Sequence, residues 1–201
     1  MKHCVPSIVF LLTLVAIWPA RPVATADTGV DKPAAPKQID VTPPLIPIPG
    51  ARVTKTGLLV GGQPSPEQLK AIHRAGYRTV ISLRAPDERG AAGERAAVER
   101  LGMTFVSIPV RGAAGLTEDN ARKLGQALDK PDVLPAVVHC ASGQRASAML
   151  GLEAFVVDRV SAAAAIEFAK VLGMKKHEAA LRKRIAEICK ADKSRHCEGV
   201  R

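Results

Sequence analysis

The chain has 201 residues, a formal net charge of +10, and among its aromatics one Trp, one Tyr and four Phe. Such a charge favours anionic partners without choosing among phosphate esters, nucleic acid and membrane surface. Single-stranded nucleic acid is bound by exposed aromatics interleaved with basic residues; no such pattern exists here, so nucleic acid is not expected as a partner.

Residues 1–26 open with Lys2 and His3, run through the apolar SIVFLLTLVAIW and reach Ala24-Thr25-Ala26. A basic start, a short apolar stretch and an Ala-x-Ala exit make a secretory signal peptide, and about a dozen apolar residues are too few to span a bilayer comfortably. Cleavage after Ala26 would leave an exported protein, in a bacterial periplasm or outside the cell. Residues 27–50 hold six prolines, among them those of TPPLIPIPG, and read as an extended linker. Residues 51–173 suffice for one domain with one core. Residues 174–201 read as a basic helix and tail packed on it.

RVTKTGLLVGG predicts two short strands around Thr56-Gly57. Ser65, Pro66 and Gln68 then supply a cap, a first helical residue and the closing member of a capping box. That helix carries Leu69, Ile72 and Ala75 on one face and stops at Gly76. TVISL (79–83) is a β-branched run suited to a buried strand, RAPDERGAAG (84–93) a loop, residues 94–101 a helix and TFVSIPV (104–110) another strand. After the RGAAG loop, Thr117 caps a helix bearing Ala121, Leu124 and Leu128. Pro131 and Pro135 frame a break before the strand AVVH. Helices follow from about Arg145, from Ser161, and around Leu181, Ile185 and Ile188. Alternating strands and helices with continuous apolar strands predict an α/β fold: a mainly parallel sheet of about four to five strands, flanked by helices.

Three cysteines remain after the expected cleavage: Cys140, Cys189 and Cys197. An exported protein meets an oxidising compartment. Cys189 and Cys197 lie eight residues apart and can close a small disulfide loop; free thiols, or a metal site with His196, are the alternatives. The metal reading offers three crowded ligands where about four well-placed ones are needed, so no metal is expected.

Cys140 ends a buried strand at the carboxyl edge of a parallel sheet, where such folds bind ligands. In HCASGQRASA, residues Ala141, Ser142, Gly143 and Gln144 offer consecutive backbone amides, and glycine permits a tight concave turn. Amides aimed at one spot, with the positive end of a helix behind them, form an anion site. Arg145 adds a planar fork of donors that matches phosphate or sulfate oxygens in pairs. The same field favours a thiolate at the cysteine, which then needs no general base; His139 is left to orient the loop through the backbone. Against this stands a plainer reading, a small buried thiol and a surface arginine.

HCASGQRASA, with GLLVGGQPSPEQL, YRTVISLR and FVSIPV, resembles the bacterial beta-lactamase-hydrolase-like phosphatase domains, compact relatives of the cysteine-dependent dual-specificity and tyrosine phosphatases. The resemblance spans roughly residues 51–160. It implies a phosphatase-type α/β fold, no cofactor, a phosphorylated small molecule or protein as substrate, and a phosphocysteine formed at Cys140 while Arg145 and the loop amides (residues 139–145) hold the phosphate.

Three departures stand out. Phosphatases of the wider class place five residues between Cys and Arg, and this loop has four, a spacing that resembles the rhodanese sulfurtransferases. Ala146 stands where a Ser or Thr commonly follows the arginine. The RGAAG loop also lacks the aspartate that would protonate the leaving oxygen, so Asp87 is the substitute considered first, with Glu88, Glu118 and Asp119 behind it. A sulfurtransferase carrying persulfide on Cys140 and a non-catalytic oxyanion-binding domain are therefore kept as alternatives. The basic C-terminal helix could add weak contact with an anionic membrane or cell-wall surface.

Overall fold

A computed structural model of the chain describes residues 46–200. The expected signal peptide and most of the proline-rich linker lie outside the described residues. The strands are β1 (Arg52–Val53), β2 (Leu58–Gly61), β3 (Thr79–Ser82), β4 (Thr104–Ser107) and β5 (Ala136–His139). The helices are α1 (Pro66–Arg74), α2 (Glu94–Arg100), α3 (Glu118–Leu128), α4 (Gln144–Val156), α5 (Ala162–Val171) and α6 (Glu178–Ala191). They form one sheet in the order β1-β2-β5-β3-β4, parallel throughout except for the antiparallel β1–β2 pair.

The period-two alternation of side chains along each strand divides the core into two layers. Leu58, Val60, Ile81, Ala136 and Val138 face the layer built with α3 to α6. Leu59, Val80 and Val137 face the layer built with α1 and α2, where Leu69, Ile72 and Val98 meet them. Helix α4 is buried along nearly its whole length, from Ala146 to Val156. It lies between the sheet and α3, α5 and α6, so its sequence carries small and apolar residues on every face rather than a stripe.

Two expected boundaries shift. Ile46 and Ile48, assigned to the linker by their prolines, are buried in the layer with α1, and the Pro49 carbonyl accepts from the Gly62 amide at 2.7 Å; the folded part thus begins before residue 51. At the other end, Leu181, Ile185 and Ile188 of α6 share one core with α4 and α5, so residue 173 marks no break in packing. Cys189 and Cys197 are joined by a disulfide with their Cα atoms 6.0 Å apart. The strand expected over 104–110 ends at Ser107 as a half-buried edge strand, because Pro109 has no amide to extend the ladder; Ile108 and Val110 still donate to Ser82 and Leu83.

Where α3 meets α4, Gly125 leaves room for Glu153 and Val157. Burial, followed by the nearby Asp158 and Asp129, pushes the Glu153 carboxyl up to about 8. A carboxyl raised this far contributes stability in full below its ordinary value near 4.5, and the contribution is lost as pH rises through about 8. Melting curves of Glu153→Gln and the unsubstituted protein are expected to coincide near pH 4 and to separate by about 5 °C or more at pH 8.5, with the variant the more stable. Parallel curves across that range would contradict the assignment.

Candidate active site

Central strand β5 delivers the loop. The Cys140 amide still pairs with the Gly61 carbonyl of β2 at 3.2 Å, and Cys140 is buried and free of any disulfide. The chain then turns through Ala141 and Ser142 to Gly143, whose φ of +84° lies in the left-handed region and which starts α4 as its N-cap. Among the described residues, the amides of Ala141, Ser142 and Gln144 to Ala146 have no protein acceptor, while the bridge to Gly62 turns the Gly143 amide toward the Gly61 carbonyl. These donors, at the positive end of a buried thirteen-residue helix, form the concave anion site anticipated in principle for such a loop.

Gly61, Gly62 and Gln63 buttress that loop from β2. Gly62 forms a bridge with Ser142, and the Gln63 amide donates to the Ala141 carbonyl at 3.3 Å. A Cβ on Gly62 would stand 2.8 Å from that carbonyl and 2.9 Å from Pro49. Hence only glycine lets the two segments close, which gives a physical account of GGQPS.

Arg145 lies along the loop with its side chain 12% exposed, and it is fixed by others. Its Nη1 donates to Glu88 Oε1 at 2.6 Å and to the Val110 carbonyl at 2.7 Å, while Nη2 donates to Glu88 Oε2 at 2.7 Å. These bonds hold the Glu88 carboxyl down at about 2 against the opposing effect of burial, with the Ala85 amide and Arg84 assisting. Glu88 in turn raises the Arg145 guanidinium, and the neighbouring Cys140 adds to the effect. Glu88 is therefore an anchor for the guanidinium and stays ionised, the opposite of the state a proton donor requires.

A chain of polar side chains runs beneath the loop. Buried His139 places Nδ1 3.2 Å from the Cys140 carbonyl and Nε2 3.0 Å from Glu94 Oε1. The latter contact is off the geometry of a hydrogen bond, and Glu94 Oε2 has no protein partner among the described residues. Gln63 Nε2 donates to Glu94 Oε1 at 2.5 Å, and Gln63 Oε1 accepts from Arg84 Nη1 at 2.8 Å. Arg84 Nε then reaches Glu88 Oε2 at 3.3 Å. The residue before the cysteine and the anchor of the arginine thus belong to one connected set.

The other residues singled out in the sequence have other uses. Asp87 pairs with Arg111 at 2.6 Å, both being about two-thirds exposed. Arg111's hydrogen bond is the first cause holding Asp87 below the usual carboxylate range, and that argues against Asp87 as proton donor. Glu118 and Asp119 occupy the first turn of α3 and pair with Arg122 and Lys123. Ser147 donates to the Gly143 and Leu172 carbonyls. Gln144 bonds through its side chain to the α5–α6 connection. The anchor role of Glu88 and the roles of Gln63 and Glu94 had no local signal, since each depends on a partner distant in sequence, and Arg84 joins them through both Glu88, four positions on, and Gln63, 21 positions back.

The comparisons agree with this geometry. Residues 51–187 match the family model described as PTP-NADK, a DSP-PTPase phosphatase fused to NAD+ kinase. The chain belongs to that family. It is also 31% identical, over 107 residues, to the beta-lactamase hydrolase-like protein of Xylella fastidiosa (strain Temecula1), covering 51% of this chain; the match spans about a quarter of that relative's length (24%). Among solved structures, a DUF442 protein from Shewanella putrefaciens CN-32, proposed to be a phosphatase, superposes with a TM-score of 0.57 at 22% identity, covering 74% of this chain and 92% of that one. TpbA of Pseudomonas aeruginosa gives 0.51 at 18% identity, covering 69% and 84%. At these identities the structures establish a shared fold, that of cysteine-dependent phosphatases, in agreement with the family.

If Glu88 sets the guanidinium, Glu88→Gln should weaken inhibition or protection by vanadate about tenfold or more, since one charged bidentate pair is replaced by a neutral one. The expected melting curve stays cooperative near neutral pH. Undiminished vanadate affinity in the variant would remove Glu88 from the anion site.

Proposed function

We propose that the chain is an exported cysteine-dependent phosphatase acting on phosphomonoesters. The observation that carries this reading is a buried free cysteine followed directly by amides with no protein acceptor and by an arginine fixed in place by Glu88. In the first step the Cys140 sulfur attacks phosphorus, the bond to the leaving oxygen breaks, and that oxygen departs with the bonding pair and takes up a proton from solvent water. The Arg145 fork and the loop amides hold the remaining oxygens as their charge redistributes, and a single such donor is commonly worth about 3–4 kcal/mol. Water then attacks the phosphocysteine, phosphate leaves, and the sulfur regains its electron pair.

The 111–115 loop holds no carboxylate, and Asp87 and Glu88 are held ionised by arginines. A positioned proton donor contributes about 10²–10⁴-fold. Phenolic esters, whose leaving oxygen needs little help, are accordingly the substrates this site suits best, and alkyl phosphates are expected to be turned over about 10²-fold or more slowly. The four-residue interval from Cys140 to Arg145 favours a second reading, a sulfurtransferase that carries persulfide on the same sulfur.

Incubation with an aryl phosphate and, separately, with thiosulfate plus cyanide tests both. Phosphate release that is abolished in Cys140→Ser is the expected result; thiocyanate formation dependent on Cys140 would replace it with the second reading. Silence in both assays, with vanadate still protecting the thiol, would leave an oxyanion-binding domain. Export is tested by the mass of the protein recovered from outside the cytoplasm: a chain beginning at Asp27 is expected, and a full-length chain retained inside overturns it. Any contact of α6 with an anionic envelope surface would be electrostatic, because its apolar residues Leu181, Ile185 and Ile188 are already in the core.

A further inference from the structure

The connection between α5 and α6 is fastened to the phosphate loop. Gln144, the last loop residue before Arg145, donates from Nε2 to the Gly173 carbonyl at 2.8 Å and accepts at Oε1 from the amides of Lys175 and Lys176 at 2.8 and 2.9 Å. One turn further along α4, the Ser147 hydroxyl donates to the Leu172 carbonyl at 2.8 Å. Met174 is buried between these ties. Every one of them engages the connector's backbone, so the fold itself places no demand on the side chains at 175 and 176.

Both positions nevertheless carry lysine. Among the described residues neither Lys175 nor Lys176 makes an ion pair, and both are exposed. The nearest acid in sequence, Glu178, is engaged by Lys170 at 3.2 Å and Arg182 at 2.9 Å. His177 follows directly, and burial, then Arg145, then Lys176 hold its imidazole below the ordinary range; the end of the connector is thus within electrostatic reach of the loop's guanidinium. Like charges on one segment repel one another, and an anion between them relieves the repulsion. One phosphate at Cys140 already has the amides and Arg145 as partners. The lysines remain for another.

We infer that the 173–177 connector is a second-anion subsite, in which Lys175 and Lys176 take a further phosphate group of an ester whose first phosphate lies at Cys140. Resting on the phosphatase reading above, the inference narrows the substrate class from phosphomonoesters in general to those bearing two phosphate groups on one scaffold. Selectivity then comes from the connector, while the chemistry stays with the loop.

Calorimetric binding to the Cys140→Ser protein, which does not turn over, tests this with phenyl phosphate and 1,3-phenylene bisphosphate as probes. The bisphosphate is expected to bind roughly five- to tenfold more tightly, the effect of a pair of exposed charges, and the difference should shrink in 0.5 M salt. In the Lys175→Ala/Lys176→Ala protein the difference should vanish while phenyl phosphate binds as before. Equal affinities for the two probes, or a difference that survives the double substitution, would overturn the subsite and leave the phosphatase reading standing. Failure of both probes to bind would overturn the subsite and the phosphatase reading together.

Discussion

The pair between Arg145 and Glu88 is the interaction on which the rest of the site depends. A guanidinium at the mouth of an amide-lined loop has several rotamers available, and an anion site gains nothing from a charge that wanders. Two short bonds that it donates to Glu88, with a third to the Val110 carbonyl, fix its plane before any ligand arrives. The ordering entropy of a long side chain is thus met in folding and not during binding. Because Glu88 comes from the loop after β3 and Val110 from the segment after β4, the sheet edge itself sets the position of the charge.

A second constraint acts from the other side. Gly61 and Gly62 bring the end of β2 against the loop so closely that a methyl group on Gly62 would meet the Ala141 carbonyl. Gln63 continues from those glycines into the buried set that joins His139, Glu94, Arg84 and Glu88. One short sequence therefore does two jobs, shaping the loop by backbone contact and linking its two ends by side-chain contact. One Glu94 oxygen has no protein partner among the described residues, and a buried polar atom left so is costly.

Much of the fold was legible in the sequence for local reasons. Ser65 and Gln68 announced α1 and form its capping box, Thr117 and Ser161 cap α3 and α5, and β-branched runs marked β3 and β5. The parallel α/β class followed from their alternation. Proline content misled at Ile46 and Ile48, because a short extended segment packs against a sheet as readily as it crosses solvent. At the site, the amide loop was legible, since its glycine, cysteine and arginine are contiguous. Glu88 was noticed as an acid but not as an anchor, and Glu94 and Gln63 not at all: their roles arise from pairs separated by 57 and 31 positions, a distance no helical or strand period reports. Gln144 was read as one more loop amide, whereas its side chain proved to be the fastening for a segment thirty residues on.

The disulfide between Cys189 and Cys197 has a bearing on Cys140 although it belongs to the far end of the last helix. With those two sulfurs committed to each other, Cys140 is the sole free thiol among the described residues. Were it oxidised to the sulfenic acid, the described residues would hold no second thiol with which to form a reversible bridge. Recovery would then fall to an external thiol small enough to reach a nearly enclosed sulfur, and without one the next oxidation steps would be irreversible.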